Sequence, residues 1–166
     1  MKLEAEYIIK KLNLIPLELE GGFYRRTYTC EKRVGRNKRS IGSAIYYLIT
    51  KNDFSALHQL VSSDEIFHFY YGDPVEMLLL DNDGNGEVVT MSNEPGGYFH
   101  PQQKVPKGTW QGMSLKPGGT IGLLGVTVTP AFHYRDFVLG DRNMLVSQYP
   151  RFKEKIIRLT RIKEKE

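Results

Sequence analysis

Cysteine, tryptophan and histidine are scarce here: one, one and four among 166 residues. A single thiol, Cys30, cannot close an internal disulfide, so a disulfide-stapled scaffold is excluded and a reducing compartment fits. Nothing beside Cys30 supplies a base, which argues against a catalytic thiol. Long apolar runs are missing too. No stretch approaches the ~20 residues of a membrane-spanning helix. The start, Met1-Lys2-Leu3-Glu4-Ala5-Glu6, is acidic where a signal peptide is basic. The reading is therefore a cytoplasmic protein with no membrane partner.

The net charge of +4 is informative only once located. Residues 151–166 hold seven Lys or Arg against three Glu, which accounts for all of it. The other 150 residues balance 16 basic against 16 acidic side chains. A second basic cluster, Lys32, Arg33, Arg36, Lys38 and Arg39, surrounds Gly35 and Asn37 and reads as a hairpin tip. The tail's charge says little about a pocket, the tip reads as solvated surface, and neither is taken as a nucleic-acid site.

What is plentiful is strand pattern. After a short amphipathic helix over 3–12, Pro16 and Gly21-Gly22 punctuate the chain. Aromatic and β-branched runs follow at Phe23–Thr29, Ile41–Thr50, Phe54–Val61, Glu65–Tyr71, Pro74–Leu80, Glu87–Met91, Thr109–Leu115, Thr120–Thr129 and Asp136–Leu139. Turn-forming clusters such as Asp81-Asn82-Asp83-Gly84-Asn85-Gly86 separate them. Short strands at near-regular spacing predict an antiparallel sandwich or barrel. Two helical segments, Arg142–Gln148 and one after Pro150, close the chain.

The stretch from His58 to Gly72 holds the densest chemistry. His58 precedes a turn, Ser62-Ser63-Asp64, and Glu65 follows it. Strand alternation puts His58 with Leu60 on one face, Glu65 with Phe67 and Phe69 on another, and Thr109, Gln111 and Met113 on a third. His68 faces away from Glu65 unless a bulge turns it inward. The single tryptophan, Trp110, faces opposite Gln111 and reads as packing rather than ligand stacking. Tyr46 and Tyr47 point oppositely, so one of them reaches the pocket.

These residues resemble the cupin superfamily, whose first motif is G-x5-H-x-H-x3-4-E-x6-G. His58 stands at the first histidine, Leu60 at the second, Glu65 at the glutamate, and Glu65 to Gly72 keeps the x6 spacing. In the second motif Pro106-Lys107-Gly108 matches P-x-G, and Gln111 stands at the histidine. More specifically, the chain resembles an uncharacterised cupin family labelled as predicted sugar epimerases. The blocks Glu20-Gly21-Gly22-Phe23-Tyr24-Arg25, Ala44-Ile45-Tyr46-Tyr47-Leu48, Ser55-Ala56-Leu57-His58, Val105-Pro106-Lys107-Gly108-Thr109-Trp110-Gln111 and Val126-Thr127-Val128-Thr129-Pro130 carry it.

The resemblance implies an all-β fold, a double-stranded β-helix closed into a jelly-roll barrel, with short N-terminal and C-terminal helices. The expected layout is one domain over 1–166: a helix in 1–13, the β-barrel in 14–140, and a basic, helical tail in 141–166. It also implies a homodimer and a pocket for a small, sugar-like ligand. The expected catalytic residues are His58, Glu65 and Tyr47. The expected ligand contacts are Tyr24, Arg25, His68 and Gln111, with Arg25 fitting either an anionic ligand or plain surface. A divalent ion (Ni, Zn or Fe) on His58, Glu65 and Gln111 is the expected cofactor, weakened by Leu60 and by the neutral Gln111. The functional reading is a sugar or nucleotide-sugar epimerase or isomerase. The alternatives are a non-catalytic binding module with an eroded metal site and a metal-dependent oxygenase.

Overall fold

Alternating apolar and polar residues make strands, and Gly, Pro and Asn turns reverse them, in the order the sequence predicts. The computed structural model describes residues 4–36 and 38–161. Helix α1 spans Ala5–Leu12. Among the described residues thirteen strands follow: β1 Ile15–Pro16, β2 Phe23–Thr29, β3 Arg33–Val34, β4 Arg39–Ser40, β5 Ser43–Thr50, β6 Ser55–Leu60, β7 Asp64–Gly72, β8 Val75–Leu80, β9 Gly86–Met91, β10 Gln102–Val105, β11 Trp110–Leu115, β12 Ile121–Thr129 and β13 Phe137–Leu139. Helices α2 (Arg142–Gln148) and α3 (Lys153–Arg158) close the described chain. Of the basic hairpin tip Asn37 lies outside the described residues, as do 162–166 of the basic tail.

The strands form two large antiparallel sheets and the small hairpin β3–β4. The first sheet runs β1-β2-β5-β12-β7-β10, the second β13-β6-β11-β8-β9. Their inner faces share one apolar core, with Tyr47, Ile49, Phe67, Phe69, Leu124 and Val126 from the first and Leu60, Val75, Met77, Leu79, Met91 and Met113 from the second. A second cluster packs α2 and α3 against the outer face of the smaller sheet, around Leu57, Leu78, Leu80, Trp110, Leu145, Tyr149 and Ile156. Trp110 is therefore a packing residue. A third cluster seats α1 through Ile8 on Leu48 and Ile121, on the outer face of the larger sheet.

The expected closed barrel does not form. Each sheet keeps two edges, β1 and β10 on one, β13 and β9 on the other, and among the described residues no ladder joins them. The edge elements explain this. β1 is two residues long and ends in Pro16, which has no N–H to donate. β13 is three residues long and follows a helical turn over Tyr134–Asp136. β9 and β10 follow one another in the chain, yet between them lies only the single bridge Ser92↔His100. The molecule is a sandwich of two open sheets with short flanking helices.

Candidate functional site

Between the sheets, at the end near β1 and β13, the core is hollow. The cavity measures about 540 Å³ and opens to solvent. Its walls are apolar, from Ile45, Leu60, Phe67, Val126, Val128 and Phe137, and its polar lining includes Glu20, His58, Glu65, Tyr24, Tyr47 and Arg26.

Local strand geometry sets the floor. Gln111 on β11 pairs directly with His58 on β6, and the register then slips by one residue before Met113 meets Ser55. The extra residue falls at Ala56–Leu57, just ahead of His58. Gly112 makes room for it, since a Cβ there would lie 3.0–3.1 Å from Leu57 atoms. The slip turns two backbone donors away from the ladder. Ala56 N–H reaches the Glu20 carbonyl at 2.7 Å and Leu57 N–H the Leu159 carbonyl at 2.7 Å. His58 is thus fixed on a knot that also ties down the Glu20 loop and the segment after α3.

The His58 ring lies 5.0 Å from Phe137, nearly parallel to it. Its Nδ1 donates to the Ala56 carbonyl at 2.8 Å, which leaves Nε2 as an acceptor. Gln111 Nε2 meets that nitrogen at 3.2 Å and also donates to Glu65 Oε2 in a very short contact. Gln111 is fully buried behind the floor and does not line the cavity; its Oε1 has no hydrogen-bond partner. It joins the imidazole and the carboxylate.

Glu65 is 7% exposed. Burial pushes its carboxyl up to about 7, and Glu20 adds to the rise; the nearby His58 and the Gln111 hydrogen bond hold it back. Glu20 is a cavity carboxylate that sequence reasoning gave no role. It sits in the turn before β2, where Ser55 Oγ donates to its Oε1 at 2.8 Å. Its Oε2 faces His58 Nε2 at 3.8 Å. That turn is braced. Gly22, at φ +73°, packs against Leu48 and Tyr47 so closely that no side chain fits. Its N–H donates to Asp53 Oδ2 at 2.7 Å.

The expected site residues fall into two sets. His58, Glu65, Tyr47 and Tyr24 line the cavity, with Gln111 directly behind. The Tyr47 hydroxyl donates to the Gly21 carbonyl at 2.8 Å, and burial, with Glu20 nearby, pushes it well above its ordinary range. Arg25 and His68 lie on the outer face of the larger sheet. Arg25 stacks on Tyr46 at 5.5 Å, while Arg26, one residue on, lines the cavity and lies 6.0 Å from the Phe132 ring. His68 meets Thr127 Oγ1 at 3.3 Å and Gln102 Nε2 at 3.2 Å. β7 does slip against β12, but between Phe69 and Tyr71, beyond His68, so His68 keeps its outward phase.

The expectation of a metal-binding protein is corrected. Among the described residues no group of three or more His, Cys, Asp or Glu could hold an ion. The donor set does not fit one either: the His58 lone pair and Glu65 Oε2 both face the Gln111 amide, and the neighbouring inward position is Leu60. Among the described residues, no helix is long and apolar enough to cross a membrane.

Comparison with known proteins fits this geometry. A crystallised protein from Shewanella oneidensis is 30% identical, with 96% of this chain and 98% of that one covered and a TM-score of 0.87. A hypothetical protein from Leishmania major is 26% identical over 96% of this chain and 100% of its own, also at 0.87. A dTDP sugar isomerase from Desulfovibrio desulfuricans shares the fold alone, at 14% identity, 77% and 79% coverage and a TM-score of 0.53. No curated protein matches the chain. The model of the family described as Cupin superfamily (DUF985) matches residues 6–140, from α1 through the last strand, and the chain belongs to that family.

Proposed function

We propose that the cavity binds a small, sugar-like molecule and moves a proton on it, an isomerase or epimerase reaction beside a carbonyl. The observation that carries this reading is Glu65. Its carboxyl lines the cavity, is poised at about 7, and is held by the same amide that holds His58. An acid or base works best when its pKa lies near the working pH, because both protonation states are then within reach. In the carboxylate form Glu65 takes the proton from the carbon next to the carbonyl. The electron pair moves into an enediolate. The proton then returns to the opposite face of the same carbon, or to the neighbouring carbon once the hydroxyl proton has passed from one enediolate oxygen to the other. Glu20, across His58 from Glu65, supplies the second acid–base group; Tyr24 and the apolar walls hold the ring. Tyr47 shapes the cavity and anchors the Gly21 turn through its hydroxyl.

A direct test is exchange in D₂O. Aldoses, ketoses and nucleotide-linked sugars are incubated with the protein and followed by proton NMR. Deuterium should enter beside the carbonyl, and Glu65→Gln should slow it at least ~100-fold. Conversion that survives Glu65→Gln unchanged sinks the mechanism. One observation favours a second reading, a binding module without turnover: the lone pair of His58 Nε2 is occupied by Gln111. It predicts ligand-induced stabilisation with no exchange.

A further inference from the structure

The cavity's charges are unevenly placed. Two of its carboxylates, Glu20 and Glu65, sit at the floor with side chains largely removed from water. No lysine lines the cavity among the described residues, and its one arginine is Arg26, on an exposed stretch of β2 beside Phe132. The floor is also rich in acceptors. Glu20 Oε2 faces the cavity side of His58, and an ionised Glu65 is acceptor-only. Donors nearby are already engaged: the Gln111 amide by Glu65 and His58, and the Tyr47 hydroxyl by Gly21. The apolar wall residues Ile45, Leu60, Phe67, Val126, Val128 and Phe137 have no side-chain donors; the other donors on the lining are the hydroxyls of Tyr24, Tyr134 and Ser43, which accept as readily as they donate and carry no charge to offset an anion.

We infer that the ligand's inward end is a hydrogen-bond donor without negative charge, either the hydroxyls of a polyol or an ammonium group, and that carboxylates and phosphates are kept off the floor. With Glu65 ionised, an anion there would meet two carboxylates in a space where water screens poorly. A hydroxyl or ammonium brings the protons those oxygens lack, and an ammonium also offsets their charge. An anionic tail, if the ligand has one, belongs at the rim with Arg26. The inference rests on reading the cavity as the ligand site and narrows the substrate class of the proposed reaction.

The test needs three probes of one carbon skeleton: sorbitol, 1-amino-1-deoxysorbitol and gluconate. Binding to the full-length protein is followed by thermal shift and by NMR titration. The two donor probes should bind, each at least ~tenfold more tightly than gluconate. The extra affinity of the amine over sorbitol should shrink in Glu20→Gln and Glu65→Gln, near-isosteric changes whose folding circular dichroism verifies. Gluconate binding as tightly as either donor probe overturns the inference, and so does the absence of any response to both donor probes. The wild-type comparison alone decides this, whatever the variants do. Failure here is separable from failure of the proton-transfer reading. Donor probes that bind while no sugar exchanges its proton sink only the latter; an anionic sugar that exchanges, with gluconate the tightest probe, sinks only the former.

Discussion

Glu65 holds a carboxyl largely removed from water, and the consequence is a pH-dependent stability of defined sign. Its folded pKa is about 7, above the ordinary 4.5 that the unfolded chain restores. The folded state therefore binds the proton more tightly. The stability this confers is complete below about 4.5, falls as pH rises towards 7, and is gone above it. The size is on the order of 3 kcal/mol at most, from the span between those two values. Asp53 and Asp64 act in stronger acid: burial works against the Asp53 carboxylate, but Arg161 and the backbone N–H groups of Gly22 and Phe54 outweigh it, and the Lys107 N–H with Lys104 holds Asp64 below its usual range. Glu65→Gln isolates the effect because it keeps the shape and removes the titration. Urea denaturation of both proteins between pH 4.5 and 8 should give a stability difference that moves in the variant's favour as pH rises. A difference that stays flat would show that Glu65 is not a buried, titrating acid.

The elements around the floor act through one another. The register slip in β6 sends one N–H to the Glu20 carbonyl and the next to the Leu159 carbonyl. Beyond α3, Arg161 pairs with Asp53 at 2.8 Å, donates to the Phe54 carbonyl at 3.2 Å and lies over the Phe54 ring at 4.5 Å. Asp53 in turn receives the Gly22 N–H. Arg161, in the basic C-terminal segment, thus braces the loop that presents Glu20. Arg161→Ala should cost little global stability, about 1 kcal/mol, because the ion pair is partly exposed. Its effect should be local: hydrogen exchange should quicken in peptides covering residues 17–24 and 53–58 and stay unchanged in β7 and β8. Equal acceleration everywhere, or none, would remove the brace. This coupling explains why the site was only half legible in sequence. His58, Glu65 and Gln111 sit on strands, with His58 past the β6 slip, so alternation with the residues that follow sets their common direction. Glu20 lies in a turn, where no period relates it to His58, 38 residues on. Arg25 and Arg26 sit just after two glycines with positive φ, and such a turn erases the phase by which one is told from the other.

At the scale of the molecule, strand order was legible because most strands carry apolar or aromatic runs between turn residues, but closure was not. β10 reads Gln102-Gln103-Lys104-Val105, too polar to signal a strand, and edge pairing depends on how β1 and β13 end. The open sandwich leaves one core in two conditions. Around Met77, Met113, Val75 and Met91 it is closed and fully buried; towards Val126, Val128 and Phe67 it borders the cavity. Substitutions in the two halves should therefore behave oppositely. Met77→Ala leaves a void that tight neighbours cannot collapse into and should cost about 2–5 kcal/mol. Val126→Phe adds bulk, which in a filled core costs about 1–3 kcal/mol, but here the ring has the cavity's volume to enter. It should change stability by less than about 1 kcal/mol and abolish the binding of sorbitol-sized ligands. The measurement is a pair of urea denaturation curves beside a thermal-shift titration. If Val126→Phe destabilised the protein as much as Met77→Ala, the space would already be closed by its own side chains, and the cavity would not be a ligand site.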